Sequence, residues 1–166
     1  MRRVANAVGI TPMAIYRHYA GTPALMEAIA QQGFDELATH LQARRGKTGA
    51  VPYIARVMDA YVVYAIEEPR MFDLLFLERR AGARRFPEDF RAGRSPTGNV
   101  LARAVAEAME ERTFRKDDVW EVAVAIWAHV HGLVVLYRAG RIDMDAAKLR
   151  AFCRRSLRRM LGGLAH

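Results

Sequence analysis

Val4 to Leu25 reads VANAVGITPMAIYRHYAGTPAL, a pattern that predicts two short helices joined by a tight turn. Ala5, Gly9 and Ile15 fall where two steeply crossed helices need a small contact residue, a flexible turn residue and an apolar plug. Gly9 can take the positive φ that closes the first helix without a Cβ clash. Thr11 followed by Pro12 restarts a helix, because the hydroxyl can cap free amides and proline is tolerated at the first helical position. In that second helix Pro12, Ile15 and Tyr19 share the docking face, while Met13, Ala14, Arg17 and His18 point away from it. A helix start carrying Thr11, Met13 and Arg17 suits the major groove of double-stranded DNA. Amides and guanidinium meet phosphate or guanine there, and Ala14 or Met13 meets a thymine methyl. Tyr16 and His18 suit sugar and phosphate, and Arg3 belongs to the same acid-free stretch of twenty residues. An ordinary surface helix of a bundle fits the pattern too, so the rest of the chain decides.

Outward from this motif every segment reads as helix, which predicts an all-α fold. Pro23 to about Leu41 carries Leu25, Ile29, Phe34, Leu37 and Leu41 on a broad apolar stripe. Residues 44–50, RRGKTGA, are a linker by composition, which divides the chain into a head, 1–45, and a helical-bundle body, 46–166. Pro52 opens a helix running through Tyr53, Val57, Tyr61 and Tyr64 to Glu68, where Pro69 halts it, and a short piece from Met71 to Leu77 follows. Residues 81–96, AGARRFPEDFRAGRSP, read as irregular and basic. Thr97 to Arg112 is helical with Val100, Leu101, Ala104, Val105 and Ala108 inward. Asp117 and Asp118 start a long apolar helix that Gly140 ends, and Asp145 caps a last helix to Leu161.

The chain has 166 residues, 52% of them hydrophobic, enough to bury a core. Cys153 is the single cysteine, which forbids an internal disulfide and suits a reducing cytoplasm. Val122 to Leu136, the most apolar stretch, is shorter than a membrane span and contains His129 and His131. It reads as a buried helix, with no membrane partner. The formal charge of +8 suggests a polyanion partner. Arg79, Arg80, Arg84, Arg85, Arg91 and Arg94, and the run Arg150, Arg154, Arg155, Arg158 and Arg159, read instead as a solvated loop and helix face.

No catalytic, metal or cofactor site is expected. His129 and His131 are two apart, so a helix points them to different sides and they cannot chelate one metal. Ser156 and Cys153 stand beside arginines with no histidine in helical reach. The pairs Glu67 and Glu68, Glu110 and Glu111, and Asp117 and Asp118 mark helix ends and solvated faces.

VGITPMA followed by YRHYAGTPALMEAI resembles the segment Y-x-H-F-x-x-K-x-x-L of the tetracycline-repressor (TetR) family. Thr22 stands at the family's lysine position, where it can still cap a helix whose N-terminus attracts anions. The resemblance implies that the family's first helix and the beginning of its second precede Met1, leaving Val4, Val8 and Ile15 without their usual cover. AIEEPRMFDLLF resembles a family pattern in which a helix stops at proline and a short apolar helix follows. IWAHVHGLVVLYRAG is similar to the WHG-type C-terminal domain, with Trp127, His131 and Gly132 at the W-x-x-x-H-G positions. Trp127 and His131 are i, i+4 neighbours and share a face. They are expected on the wall of an effector pocket with Met58, Tyr61, Phe72 and Phe76. The alternative is plain core, with His131 hydrogen-bonded to a neighbour.

Membership would imply a homodimeric, ligand-responsive DNA-binding regulator, a repressor more often than not. Its operator would be palindromic, its half-sites about one helical turn apart, and its small-molecule effector apolar or aromatic. An apolar face of the last two helices, Val134, Leu149, Phe152, Cys153, Leu157 and Met160, is expected at the twofold interface. Two rivals remain: a dimeric helical ligand-binding or interaction protein that does not bind DNA, and a nonspecific basic nucleic-acid binder.

Overall fold

The structure, a computed structural model, describes residues 1–42 and 48–165. Among these it is helical throughout, with no strand. The predicted boundary at 45/46 and most of the predicted linker lie outside the described residues.

Helix α1, Arg2–Val8, closes at Gly9, whose φ of 71° is the left-handed cap predicted for it. Helix α2, Pro12–Tyr16, opens on Thr11, whose hydroxyl accepts from the Ala14 N–H at 3.2 Å. It is shorter than expected. Beyond Tyr16 the coil continues only as turns, with the Tyr19 N–H on the Ile15 carbonyl at 3.0 Å. Ala5 and Ile15 are buried where the two helices meet, and both lie outside the main core cluster.

Helix α3, Thr22–Gln42, leads away from this head and buries Ala30, Phe34, Leu37, Ala38 and Leu41, with Leu25 and Ile29 half-buried. Helix α4, Ala50–Glu67, starts two residues before Pro52, because the Glu111 carboxylate takes the free Ala50 N–H at 3.0 Å and proline fits within a first turn. Helices α5, Pro69–Phe76, and α6, Glu88–Arg91, flank a loop, so the segment predicted to be irregular holds one short helix. Helix α7, Pro96–Glu110, is capped by Ser95. Helix α8, Val119–Arg138, is capped by Asp118, and helix α9, Ala146–Leu164, by Asp145.

Helix α4 is the axis of the body and packs against α3, α5, α7, α8 and α9. Two charge clamps fasten it and its neighbours: Asp73 of α5 takes Arg138 of α8 at 2.6 Å, and Asp59 of α4 takes both Arg150 and Arg154 of α9 at 2.6 Å. The reading of α8 needs two corrections. At 20 residues it is long and apolar enough to cross a membrane, so the length argument fails. It also buries only one side, through Val122, Ala123, Ile126, Val130 and Val134, and leaves Ala125, Ala128 and Leu136 exposed.

Candidate functional site

Inside the body lies a cavity of about 180 Å³. Helix α4 supplies Val57, Met58 and Tyr61, and α8 supplies Trp120, Ala123, Val124 and Trp127. Phe34 and Leu41 of α3, Phe76 of α5 and Leu101 of α7 complete the apolar wall, and the stretch from Glu78 to Ser95 closes the mouth with Arg80, Ala83, Arg84 and Phe90. The wall is a chain of aromatic edges: Phe34 meets Phe76 at 5.4 Å and 86°, and Phe90 meets Trp120 at 6.1 Å and 86°.

Tyr61 is 2% exposed and joins the two motif residues of α8. The Trp127 Nε1–H donates to the Tyr61 oxygen at 3.2 Å, so the single hydroxyl proton is free to go to His131 Nδ1 at 2.7 Å. That direction requires an unprotonated Nδ1, and burial indeed lowers the His131 pKa below its usual 6.5. Burial also raises the Tyr61 phenol, against the smaller opposing effect of the Trp127 hydrogen bond.

Four of the six expected pocket residues, Met58, Tyr61, Phe76 and Trp127, line the cavity. Phe72 and His131 do not. Phe72 is fully buried behind Tyr61 and Phe76, with ring centroids 5.7 Å and 5.1 Å away, and His131 stands behind Tyr61 as its acceptor. Phe34, Phe90, Trp120 and Arg84 were missed. Phe34 carried only a core signal, and Phe90 and Arg84 sat in a segment without periodicity.

Of the middle arginines, Arg79, Arg85, Arg91 and Arg94 are exposed as expected, but Arg80 and Arg84 are not part of a solvated loop. The Arg80 side chain is 8% exposed. Its Nη1 donates to both Glu27 carboxylate oxygens at 3.0 Å, and its Nε and Nη2 reach the Leu74 and Leu75 carbonyls at 3.1 and 3.3 Å. Gly82 permits this approach, since a Cβ there would meet the Glu27 carboxylate at 2.5 Å. Arg84 donates from Nε to the Arg94 carbonyl at 2.6 Å and from Nη2 to Gln31, and its guanidinium lies 4.8 Å over the Phe34 ring. Glu27, Gln31 and Phe34 lie on one face of α3, so the mouth of the cavity is fastened to the helix that leads to the head.

In the head, Arg3, Thr11, Met13, Tyr16, Arg17, His18 and Thr22 are exposed, Met13 at 66%, and Ala14 is half-buried. Thr22 is the first residue of α3 rather than its cap, and the Gly21 carbonyl accepts the first-turn bond from Leu25 at 3.1 Å.

The expected dimer face divides. Val134, Leu149, Cys153 and Leu157 are buried within the protomer, at 3% exposure or less, because that stripe of α9 packs on α4 and α8. The same burial pushes the Cys153 thiol up to about 11. Phe152 and Met160 stay half-exposed, and outward with them lie Ser156 of α9 and Ala125, Ala128, His129, Gly132 and Leu136 of α8. Among the described residues, nothing outside its own stretch of helix backbone stands within 4 Å of where a Cβ on Gly132 would lie. Packing also sets His129 Nε2 3.0 Å from the Ser156 hydroxyl, a pair that spacing along one helix could not reveal. No carboxylate bonds to either partner among the described residues.

The family model described as "Tetracyclin repressor-like, C-terminal domain" matches residues 54–160. No curated protein matches the chain. Among solved structures, a protein of unknown function from Rhodococcus sp. RHA1 is 23% identical with a TM-score of 0.78, over 99% of this chain and 84% of that one. A regulatory protein of the tetR family from Rhodococcus RHA1 is 20% identical with a TM-score of 0.68, over 95% and 83%. The TetR family transcriptional regulator PfmR from Thermus thermophilus is 18% identical with a TM-score of 0.64, over 95% and 86%.

Proposed function

The chain belongs to the tetracycline-repressor family, and from that premise we propose that it is a cytoplasmic homodimeric repressor that reads a double-stranded DNA operator and releases it when a small apolar or aromatic effector fills the cavity. One observation carries this reading: the cavity wall and the head share helix α3. Phe34 and Leu41 line the cavity, and the arginines at its mouth hold Glu27 and Gln31 further along the same helix toward the head. A ligand that presses on Phe34 or loosens the mouth changes the tilt of α3 and with it the spacing of two recognition helices in a dimer. Coupling of about 1–3 kcal/mol is enough to make such a switch useful.

Exposed Met13 and Tyr16 on α2 and Arg17 at its C-terminal cap supply the reading surface, and the outward face of α8 and α9 around Gly132 and Phe152 supplies the twofold contact. Selection of duplexes from a random pool at fixed salt, followed by titration of the best one, tests the reading. We expect a palindromic preference that Arg17→Ala weakens by about 1–3 kcal/mol. A uniform affinity for all duplexes would favour a nonspecific basic binder. The second reading is a dimeric ligand-binding protein without operator affinity. Absence of any duplex binding together with ligand binding in the cavity would select it.

A further inference from the structure

The cavity has a definite size and a definite charge at its mouth. A hole of about 150 Å³ lined by apolar side chains holds one benzene ring, so about 180 Å³ holds a ring and a short arm. The arm would end among Glu78, Arg80 and Arg84, the charged residues of the lining. Arg80 is already neutralised by Glu27. Arg84 is not: its acceptors are a backbone carbonyl and the Gln31 amide, both uncharged, and no carboxylate pairs with it among the described residues. The nearby Asp89 carboxylate is taken by Arg94 at 2.6 Å and by the Arg85 N–H at 2.5 Å. Glu78 lies on the same wall and is solvent-exposed.

Resting on the effector reading above, we propose that the cavity takes a single-ring organic monoanion, with its ring between Phe34, Phe76 and Trp127 and its carboxylate on the Arg84 guanidinium. Both groups gain. The ring packs on the aromatic edges of the wall, and the carboxylate replaces an uncharged acceptor on Arg84 with an oppositely charged one. The planar guanidinium can offer two parallel N–H groups to one carboxylate, and the Phe34 ring beneath it holds that plane in place. Because Gln31 is the acceptor displaced, the same event would loosen the mouth from α3.

Calorimetric titration of the full chain with phenylacetate, phenylacetamide and phenethylamine at fixed salt tests this, since the three differ little in shape and differ in charge. Phenylacetate is expected to bind about tenfold or more tighter than phenylacetamide. Arg84→Gln should bring it down to the amide's level, and Arg84→Lys, which keeps the charge but loses the paired N–H groups, should retain only part of the preference. Equal binding of acid and amide, preference for the amine through Glu78, or indifference to Arg84→Gln would overturn the proposal. So would failure of all three to bind. Leu101→Trp, which fills the cavity, separates this from the effector reading: amide binding that it abolishes leaves the cavity as the site and removes only the anion.

Discussion

Tyr61 serves two polar groups at once, accepting from Trp127 and donating to His131. Tyr61→Phe keeps the ring and strands both partners, so it should cost about 1–3 kcal/mol in chemical denaturation. A loss below a few tenths would show that water replaces the hydroxyl. The lowered His131 pKa carries a pH dependence with a definite sign. The unfolded imidazole takes up a proton below its ordinary 6.5 and the folded one resists. Stability should therefore be full above that pH and fall as the solution is acidified through it. His131→Gln should flatten this part of the profile. At this scale much was legible: Thr11 as cap, Gly9 as left-handed turn residue and Trp127 beside His131 all follow from chemistry within one or two turns of the chain. The Tyr61 link between them is 66 and 70 residues distant in sequence, and no local pattern contains it.

Between elements, single charges fasten helices that sequence spacing places far apart. Asp59 shows the balance. Burial alone would raise its pKa, but hydrogen bonds from Arg150 and Arg154 overcome this and hold it at about 2. The folded value lies below the unfolded one, so the clamp contributes fully above about pH 4 and is lost as pH falls through about 2. Asp59→Asn should lower stability by about 1 kcal/mol at neutral pH, since both arginines are partly solvated, and should remove that acid limb from the profile. The Arg80 clamp bears on function. Glu27→Ala leaves a nearly buried guanidinium without its carboxylate and should cost about 2 kcal/mol in stability. If α3 transmits the ligand signal, the ratio of operator affinities with and without effector should also fall toward one. An unchanged ratio would place the transmission elsewhere. Helix starts and stops were mostly readable from Pro, Asp and Gly. The partners of the arginines were not, because charge in a sequence says nothing of which carboxylate the fold brings near.

For the molecule as a whole, the outward side of α8 and α9 presents small Ala125, Ala128 and Gly132 beside Leu136, Phe152 and Met160, with the His129–Ser156 pair among them and exposed arginines of α9 alongside, a surface suited to pairing with a second copy. Gly132→Arg places a charged side chain on this face at a position where a Cβ meets no neighbouring element, so the chain should still fold. Sedimentation at micromolar concentration should then shift from dimer to monomer. A persisting dimer would move the interface off this face. Local reading stops most clearly at this face. An apolar repeat of three to four residues told that α9 has a buried stripe, and the stripe of Leu149, Cys153 and Leu157 is real, yet it packs inside the protomer. The amino-acid sequence by itself determined the all-helical fold, the two short opening helices closed at Gly9 and capped by Thr11, and the family, because capping, turn closure and helical periodicity are short-range effects carried by neighbouring residues. Only the tertiary structure decided which side of each helix faces α4, a cavity or solvent, and that Arg80 and Arg84 tie the cavity mouth to α3. Those outcomes depend on how elements distant in sequence pack, and burial belongs to the packed assembly and not to any one helix.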